Sequence, residues 1–378
     1  MLSIFGTRPE AIKMAPVVRQ LRECPGIESR ICVTAQHREL LDPVLELFGL
    51  RPDHDLGLMR PGQDLYDVTA GALLGLREVL RNERPDRVLV HGDTTTCLAA
   101  TLAAFYAGIP VAHVEAGLRT GSFAAPWPEE MNRTVVDRLS DLCFAPTEQA
   151  RANLLRENVP QERVHVTGNT VVDALLWTRE RVRADGHERW QTTFPAPLRE
   201  RLAEEQVSSQ RLIVVTGHRR ENFEDGLREL CEAILRLARA HPDWAFVWPL
   251  HKNPRARDPV LDILGQAPSV TLLEALDYAP FVGLLDRASL VITDSGGVQE
   301  EATVLGTPAL VTRTVTERTE ALEAGGVRLV GTQAERIVDQ TELVLGDDAE
   351  YARMASAHSP YGDGRAAQRI VDVLTESR

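Results

Sequence analysis

The sequence contains little that would place it in a membrane or in an oxidising compartment. No apolar run approaches the roughly 18 residues that a membrane-spanning helix needs, and a strand begins at Leu2 with no room before it for a signal peptide. The five cysteines are scattered, odd in number and in no CxxC pair, which predicts free thiols that lie mostly in the core. No cysteine and histidine spacing typical of a metal site occurs either. We therefore expect a cytoplasmic protein that holds no catalytic metal.

Positive charge is also scarce. The net charge is −13, and Lys13 and Lys252 are the only lysines among 42 cationic residues. This balance argues against a nucleic acid as the partner. The net negative charge of the protein would repel an anionic ligand, so such a ligand would require cationic residues gathered at its binding site.

The order of predicted elements indicates an α/β protein with two domains, which is also the expectation for 378 residues. Two series of strands alternate with helices, and such repeats form parallel, doubly wound sheets. The strands are predicted at 3–5, 29–34, 87–91, 111–114, 142–145 and 164–167, then at 212–216, 245–249, 270–273, 290–293, 309–312 and 327–330. Residues 185–210 are polar and are predicted to be peripheral. We expect one active site in the cleft where the strand ends of two Rossmann-like domains face each other.

One stretch, residues 290–301, combines a buried strand, a Ser295-Gly296-Gly297 turn and a helix predicted over 298–305. A glycine turn before a helix N-terminus offers unpaired amides to an anion. Glu300 and Glu301, placed in the first helical turn, would repel a phosphate, so at least one should accept hydrogen bonds from sugar hydroxyls. The stretch thus predicts a nucleotide-sugar site.

Candidate acids and bases occur where predicted strands end. Asp93 follows one strand, Glu115 follows the next, Glu129 and Glu130 begin a later helix, and His218 follows a strand of the second series. Taken singly, each has a simpler explanation: a helix cap for Asp93, a solvated turn for Glu115, dipole complements for Glu129 and Glu130, and an ordinary polar strand end for His218. Their shared position favours acid and base chemistry on one ligand.

Longer motifs resemble those of the non-hydrolysing UDP-N-acetylglucosamine 2-epimerases. The matching segments are 6–16 (GTRPEAIKMAP), 91–96 (HGDTTT), 113–120 (HVEAGLRT), 126–133 (PWPEEMNR), 217–223 (GHRRENF) and the stretch 290–301. They extend over nearly the whole chain, and the longest contain eight or more residues.

The resemblance implies a glycosyltransferase B-type fold. The first domain would contain residues 1–170 and 362–378, and the second, UDP-binding domain residues 171–361. The implied reaction is the reversible interconversion of UDP-N-acetylglucosamine and UDP-N-acetylmannosamine without NAD or a metal. A base removes the C2 proton, UDP leaves to give 2-acetamidoglucal, and UDP adds again as C2 is reprotonated on its other face. The chain would act as a homodimer without nucleic acid or membrane, and its product would enter cell-surface polysaccharide synthesis.

The resemblance also implies roles for individual residues. The catalytic set would be Asp93, Glu115, Glu129 and His218. The residues implied to bind substrate are Arg8, Lys13, Asp93, Glu115, Arg133, His218, Leu276, Phe281, Ser295, Gly296, Gly297, Glu301 and Arg318. Some relatives bind a second substrate molecule as an activator, and the matching positions here are Gln36, His37, Gln63 and His251. Because Glu39 and Gly62 depart from those relatives, activation stays open.

Three alternatives remain at this point. A hydrolysing epimerase of the same fold would release N-acetylmannosamine and UDP, and a glycosyltransferase would turn over only with an acceptor. A nucleotide-sugar sensor would need no set of acids and bases.

Overall fold

The computed structural model of the chain describes residues 1–34, 38–60, 62–186, 190, 192–203, 211–217, 225–314, 316 and 319–376. The chain divides into two compact units, Met1–Leu176 with Tyr361–Arg378, and Trp177–Pro360. The predicted domains placed these two boundaries at residues 170 and 361. Within the described ranges, no helix is both long and apolar enough to cross a membrane.

The first unit is built on a seven-stranded parallel sheet in the order β3-β2-β1-β4-β5-β6-β7. Its strands are β1 Leu2–Phe5, β2 Arg30–Val33, β3 His54–Asp55, β4 Val88–His91, β5 Val111–Val114, β6 Leu142–Ala145 and β7 Val164–Val166. Its helices are α1 Arg8–Glu23, α2 Arg38–Leu47, α3 Leu65–Glu83, α4 Thr95–Tyr106, α5 Glu129–Leu139, α6 Glu148–Arg156, the start of α7 Thr170–Ala184, and α16 Ala366–Glu376, which packs on α1.

The second unit has a six-stranded parallel sheet in the order β10-β9-β8-β11-β12-β13. Its strands are β8 Leu212–Thr216, β9 Ala245–Pro249, β10 Val270–Leu273, β11 Leu290–Thr293, β12 Ala309–Val311 and β13 Val327–Leu329. Its helices are α8 Ala196–Ala203, α9 Asp225–Ala240, α10 Pro254–Leu264, α11 Tyr278–Leu285, α12 Gly296–Val304, α13 Thr319–Ala324, α14 Ala334–Gly346 and α15 Asp348–Ala355.

The predicted α/β class is confirmed, because both sheets are parallel and alternate with helices. Central strands such as β4, β5 and β11 are buried along their whole length, since helices cover both faces of such sheets. The chain order reverses between β1 and β4 in one sheet and between β8 and β11 in the other. The loops that leave these strands are where doubly wound sheets bind ligands.

The cysteine prediction is confirmed as well. All five thiols are free, and Cys32, Cys97, Cys143 and Cys231 are buried. The short strand β3 was not predicted. It contributes only two residues, and it becomes a strand because Cys32 of β2 pairs with His54.

The described residues between 185 and 203 are less peripheral than predicted. They include helix α8, and Phe194, Leu198 and Leu202 are each buried. The spacing of four residues places Leu198 and Leu202 on one helical face. The polar composition of the segment concealed this small apolar stripe.

Helix α12 begins earlier than predicted, at Gly296 instead of residue 298, so both glycines form its first turn. Glu300 and Glu301 consequently lie in the second turn, and the first turn contains no acid. The expected repulsion between these acids and an anion at the helix N-terminus is therefore weaker than the sequence suggested.

Candidate active site

The turn after β4 places Asp93 at the sheet edge. Gly92 adopts a positive φ of 66°, and Thr94 caps α4 by accepting a hydrogen bond from the Cys97 amide at 3.0 Å. Thr94 therefore does the capping that the sequence allowed for Asp93. The Asp93 carboxylate instead contacts the Arg133 guanidinium at 2.6 Å, and its side chain is 28% exposed.

The surroundings of Asp93 shift the pKa of its carboxyl group. Burial raises the pKa of Asp93 above its ordinary value, Arg133 opposes this, and the negative fields of Glu115 and Glu129 add to it. A carboxyl group shifted in this way can exchange a proton closer to neutrality than an exposed aspartate.

Glu115 leaves β5 beside the Asp93 turn, because β4 and β5 are hydrogen-bonded neighbours with His91 opposite Val114. Its backbone has a φ of 68°, a left-handed conformation that is uncommon outside glycine and costs free energy. The side chain is only 10% exposed. Its Oε2 atom accepts hydrogen bonds from Lys13 Nζ and, at 2.9 Å, from Asn169 Nδ2. Glu115 is thus a held carboxylate, which excludes the solvated turn that the sequence allowed.

The first turn of α5 separates two neighbouring acids. Glu130 is buried and accepts hydrogen bonds from the amides of Thr120 at 3.0 Å and Gly121 at 2.9 Å, so it closes the loop between β5 and α5. Glu129 is half-buried, and among the described residues its Oε2 atom has no hydrogen-bond partner. The negative charge of Glu129 contributes to the raised pKa of Asp93, so the Glu129 carboxylate belongs to the same cluster of acids.

A buried histidine holds these turns together. His113 Nδ1 lies 2.6 Å from Asp137 Oδ1, and its Nε2 lies 2.7 Å from the carbonyl oxygen of Gly92. The second carboxylate oxygen of Asp137 accepts from the Gly117 amide at 3.2 Å and contacts Arg119 at 2.8 Å. Burial alone would raise the pKa of Asp137, but His113 and Arg119 together lower it.

Glu10 links two loops at the position where the strand order reverses. It is buried, and its Oε2 atom accepts from the amides of Gly6 at 3.0 Å and Thr7 at 2.7 Å, while Oε1 accepts from the Thr94 hydroxyl at 2.6 Å. Burial raises the pKa of Glu10, and these hydrogen bonds oppose the rise. The turns after β1 and β4 are therefore fixed to each other.

His91 is a second buried imidazole next to the carboxylates. Its Nε2 atom lies 3.9 Å from Glu115 Oε2, and burial lowers the pKa of His91 to about 3. The ring is consequently neutral at physiological pH. Neither ring nitrogen has a hydrogen-bond partner within the part of the chain that the structure describes.

Two of the cations expected to hold a diphosphate already pair with carboxylates. Lys13 donates to Glu115, and Arg133 contacts Asp93 and, at 3.4 Å, Glu130. Arg8 is the first residue of α1 and is half-buried. A bound anion would therefore share Lys13 and Arg133 with the carboxylates.

The loop after β11 is held by threonine hydroxyls. The Thr216 and Thr293 hydroxyl oxygens lie 2.6 Å apart, and the Ser295 amide donates to the Thr293 hydroxyl at 2.9 Å. A methyl group at Gly297 would meet no atom of the described residues within 4 Å. The packing of the protein therefore does not explain the glycine at this position. A ligand that approaches the backbone closely would explain it, because a side chain would occupy the space of the ligand.

Other predicted binding residues lie along the second unit. Leu276 and Phe281 are half-buried before and within α11, and Glu301 is buried in α12. His251 is exposed, and its Nδ1 accepts from the Asn253 amide at 3.1 Å. In the first unit, Gln63 accepts from the Arg60 amide at 2.8 Å.

Four predicted site residues lie outside the described part of the chain: Gln36, His37, His218 and Arg318. Among the described residues, no group of three or more histidine, cysteine, aspartate or glutamate side chains is arranged to hold a metal ion.

Sequence reasoning missed Glu10, His91, Asp137 and Asn169. Asn169 follows the C-terminal end of β7, so the strand-end rule that selected Asp93 and Glu115 would also have selected it. Asp137 lies in the middle of a helix, where no strand-end signal could identify it.

Known proteins of a single family resemble the chain over nearly its whole length. The family model for UDP-N-acetylglucosamine 2-epimerase matches residues 19–375. The chain is 53% identical over 374 residues to a probable UDP-N-acetylglucosamine 2-epimerase of Ralstonia nicotianae, with 99% of this chain and 98% of that protein covered. It is 52% identical over 378 residues to the UDP-N-acetylglucosamine 2-epimerase of Escherichia coli K12, with 100% and 99% covered. The fold is similar to the crystal structure of the Neisseria meningitidis UDP-GlcNAc 2-epimerase bound to UDP-GlcNAc, with a TM-score of 0.92, 45% identity and 99% of both chains covered.

Proposed function

Because the chain belongs to the UDP-N-acetylglucosamine 2-epimerase family, we propose that it is a non-hydrolysing member that interconverts UDP-N-acetylglucosamine and UDP-N-acetylmannosamine. A base takes the C2 proton while the bond between C1 and the UDP oxygen breaks. The electron pair of the C2–H bond forms the C1=C2 double bond of 2-acetamidoglucal. UDP then adds again at C1 as a proton is delivered to the opposite face of C2.

The observation that carries this proposal is the group of coupled carboxylates at one sheet edge. Epimerisation needs a proton acceptor and a proton donor. The environment of Glu115 suits an acceptor, and that of Asp93 suits a donor. Glu115 accepts two hydrogen bonds on Oε2, which favour its ionised form, whereas the pKa of Asp93 is raised. We therefore assign Glu115 to accept a proton and Asp93 to carry one, with the roles exchanged in the reverse direction.

The departing diphosphate needs positive partners, since charge develops on it as the C1–O bond breaks. Lys13 and Arg133 are the described cations that lie against the carboxylates. We propose that they share their charge between the carboxylates and the phosphates, with Arg8 and His218 as further partners by resemblance.

UDP recognition is proposed for the second unit, also by resemblance. The amides of Ser295, Gly296 and Gly297 would bind phosphate, Glu301 the ribose hydroxyls and Phe281 the uracil, with Leu276 and Arg318 as further contacts. The N-terminus of α12 supports this assignment, because its first turn contains two glycines and no acid.

The alternative is the hydrolysing reaction, and isotope exchange separates the two. The enzyme is incubated with UDP-N-acetylglucosamine in deuterated water, and the products are followed by proton and phosphorus NMR. The proposal predicts deuterium at C2 of sugars that still carry UDP. Free UDP formed in stoichiometric amounts with N-acetylmannosamine would contradict it.

The cellular setting is proposed from the resemblance alone. The protein would act in the cytoplasm as a homodimer, without NAD or a metal, and its product would feed cell-surface polysaccharide synthesis. Activation by a second substrate molecule, through Gln36, His37, Gln63 and His251, predicts a sigmoidal dependence of rate on substrate concentration. A hyperbolic dependence would contradict activation.

A further inference from the structure

Asn169 connects the loop after β7 to the proposed base. Its side chain is buried, and its Nδ2 atom donates to Glu115 Oε2 at 2.9 Å across a separation of 54 residues. The contact therefore brings a third loop to the sheet edge that holds Asp93 and Glu115.

The orientation of this amide is fixed by its other hydrogen bonds. Asn169 Oδ1 accepts from the Val171 amide at 3.1 Å, which identifies the other side-chain atom as the NH₂ group that faces Glu115. The main chain is held as well, because the Asn169 amide donates to the Tyr361 carbonyl at 2.8 Å and its carbonyl accepts from the Val172 amide at 3.0 Å. Asn169 is thus a rigid donor.

Glu115 needs such a donor for two reasons. Its left-handed backbone, with φ at 68°, is a conformation that surrounding contacts must maintain. Its other described donor, Lys13, is also a proposed partner of the diphosphate. When Lys13 turns toward a phosphate, Asn169 can still hold the carboxylate.

We propose that Asn169 is a positioning residue that orients the Glu115 carboxylate for proton transfer at C2. This inference rests on the proposed function of Glu115. Among the described residues, the charged and titratable groups that face Glu115 include Lys13 from α1, His91 at the end of β4 and Asp93 in the turn that follows. The neutral amide of Asn169 adds a hydrogen bond to this set without adding charge.

Asn169→Asp tests the proposal with an isosteric change. The new side chain keeps an acceptor for the Val171 amide but replaces the donor by an anion against Glu115. We expect kcat at neutral pH to fall about tenfold or more, as the loss of roughly 1.4 kcal/mol of transition-state stabilisation implies, while KM changes by less than about threefold. We also expect the pH profile of kcat to move to higher pH, because a second carboxylate disfavours ionisation of Glu115.

Asn169→Ser provides a second, uncharged variant. Serine keeps the capping oxygen for the Val171 amide but lacks the donor that reaches Glu115. We expect a similar loss of kcat with a smaller displacement of the pH profile. Wild-type kcat in the serine variant, with an unmoved pH profile, would overturn the proposal even if the aspartate variant proved too unstable to measure.

Asn253→Asp is the matched stability control. Asn253 Oδ1 accepts from the Arg255 amide at 3.0 Å at the start of α10, the same local contact that Asn169 makes at the start of α7. The unfolding midpoint of Asn253→Asp shows what the change from asparagine to aspartate alone does to a helix cap.

Glu115→Gln distinguishes failure of the proposed function of Glu115 from failure of the proposed role of Asn169. If Glu115→Gln still exchanges the C2 proton with solvent, the role of Glu115 in proton transfer is refuted. If Glu115→Gln loses this exchange while the Asn169 variants keep the wild-type kcat and pH profile, only the positioning role of Asn169 is refuted.

Discussion

His113 Nδ1 lies 2.6 Å from Asp137 Oδ1 at a position where neither side chain is exposed to solvent. The opposite ring nitrogen faces the Gly92 carbonyl, which can only accept a hydrogen bond. His113 therefore connects the Asp137 carboxylate to the turn after β4 through both ring nitrogens. This buried pair lies behind the turn that presents Asp93.

Asp137→Asn should destabilise the protein by about 3–5 kcal/mol, because it leaves the Arg119 guanidinium without its buried carboxylate partner and removes the carboxylate that faces His113 Nδ1. Urea denaturation monitored by circular dichroism measures the change. The pKa of Asp137 lies below its ordinary value of 3.8, so its stabilising contribution is complete above about pH 4 and is lost as the pH falls through the lowered pKa. The difference between the two proteins should shrink in that acidic range.

Asp363→Asn is the control for that prediction. Asp363 also pairs with an arginine, Arg369, at 2.7 Å, but both side chains are about half exposed. A solvent-screened pair of this kind contributes no more than about 1 kcal/mol. Equal losses in the two variants would contradict the importance of burial at Asp137.

Asp93→Asn should abolish turnover while leaving UDP binding nearly intact. The amide keeps the shape of the side chain but cannot carry the exchangeable proton, and UDP recognition is proposed for other residues. Single-turnover deuterium exchange and calorimetric titration with UDP measure the two effects. Unchanged turnover would refute the assignment of Asp93 to proton transfer.

Gly297→Ala should separate folding from ligand binding. A methyl group at this position meets no atom within 4 Å in the described part of the chain, and alanine favours helix over glycine by roughly 1 kcal/mol, so the free energy of unfolding should stay unchanged or increase. UDP should bind more weakly if phosphate approaches the amides of this turn. Gly346→Ala in α14 is the matched control, because it also meets no atom within 4 Å. Equal UDP affinity in both variants would refute the phosphate site.

Tyr106→Glu should weaken the proposed homodimer. Tyr106 is 72% exposed, and Leu74 and Phe105 are other exposed apolar residues on α3 and α4. Leu74 and Tyr106 line the same surface pocket, and contiguous exposed apolar patches mark protein–protein interaction sites. Sedimentation equilibrium should show a larger monomer fraction than in the native protein. Leu343→Glu, at an exposed apolar position on α14, is the control and should leave the association state as it is.

Much of the fold could be predicted from the sequence because each central strand is a short apolar run that ends in a glycine or polar turn. The neighbouring positions of Asp93 and Glu115 followed from the same pattern. The start of α12 could not be predicted, since glycine has a low helix propensity, although α12 begins at Gly296. Burial of Leu198 and Leu202 depended on packing that a polar segment does not reveal.

The carboxylate pairings were harder to predict. Lys13 and Glu115 are 102 positions apart, and Thr94 and Glu10 are 84 positions apart, so no local pattern connects them. The family resemblance implied that Lys13 and Arg133 hold the diphosphate, but it did not imply their contacts with Glu115 and Asp93. Such contacts depend on side-chain directions at the sheet edge, which spacing does not determine.

The position of α16 has a consequence for synthesis on the ribosome. Asp173 accepts hydrogen bonds from the amides of Ala366 and Ala367, the first of them 193 positions later, and Asn169 bonds to Tyr361. The unit that contains the proposed acids and bases is therefore incomplete while the whole second unit is being translated. Residues 361–367 follow the second unit in the chain. The loop that bears Asn169 can therefore acquire these contacts only after the second unit has left the ribosome.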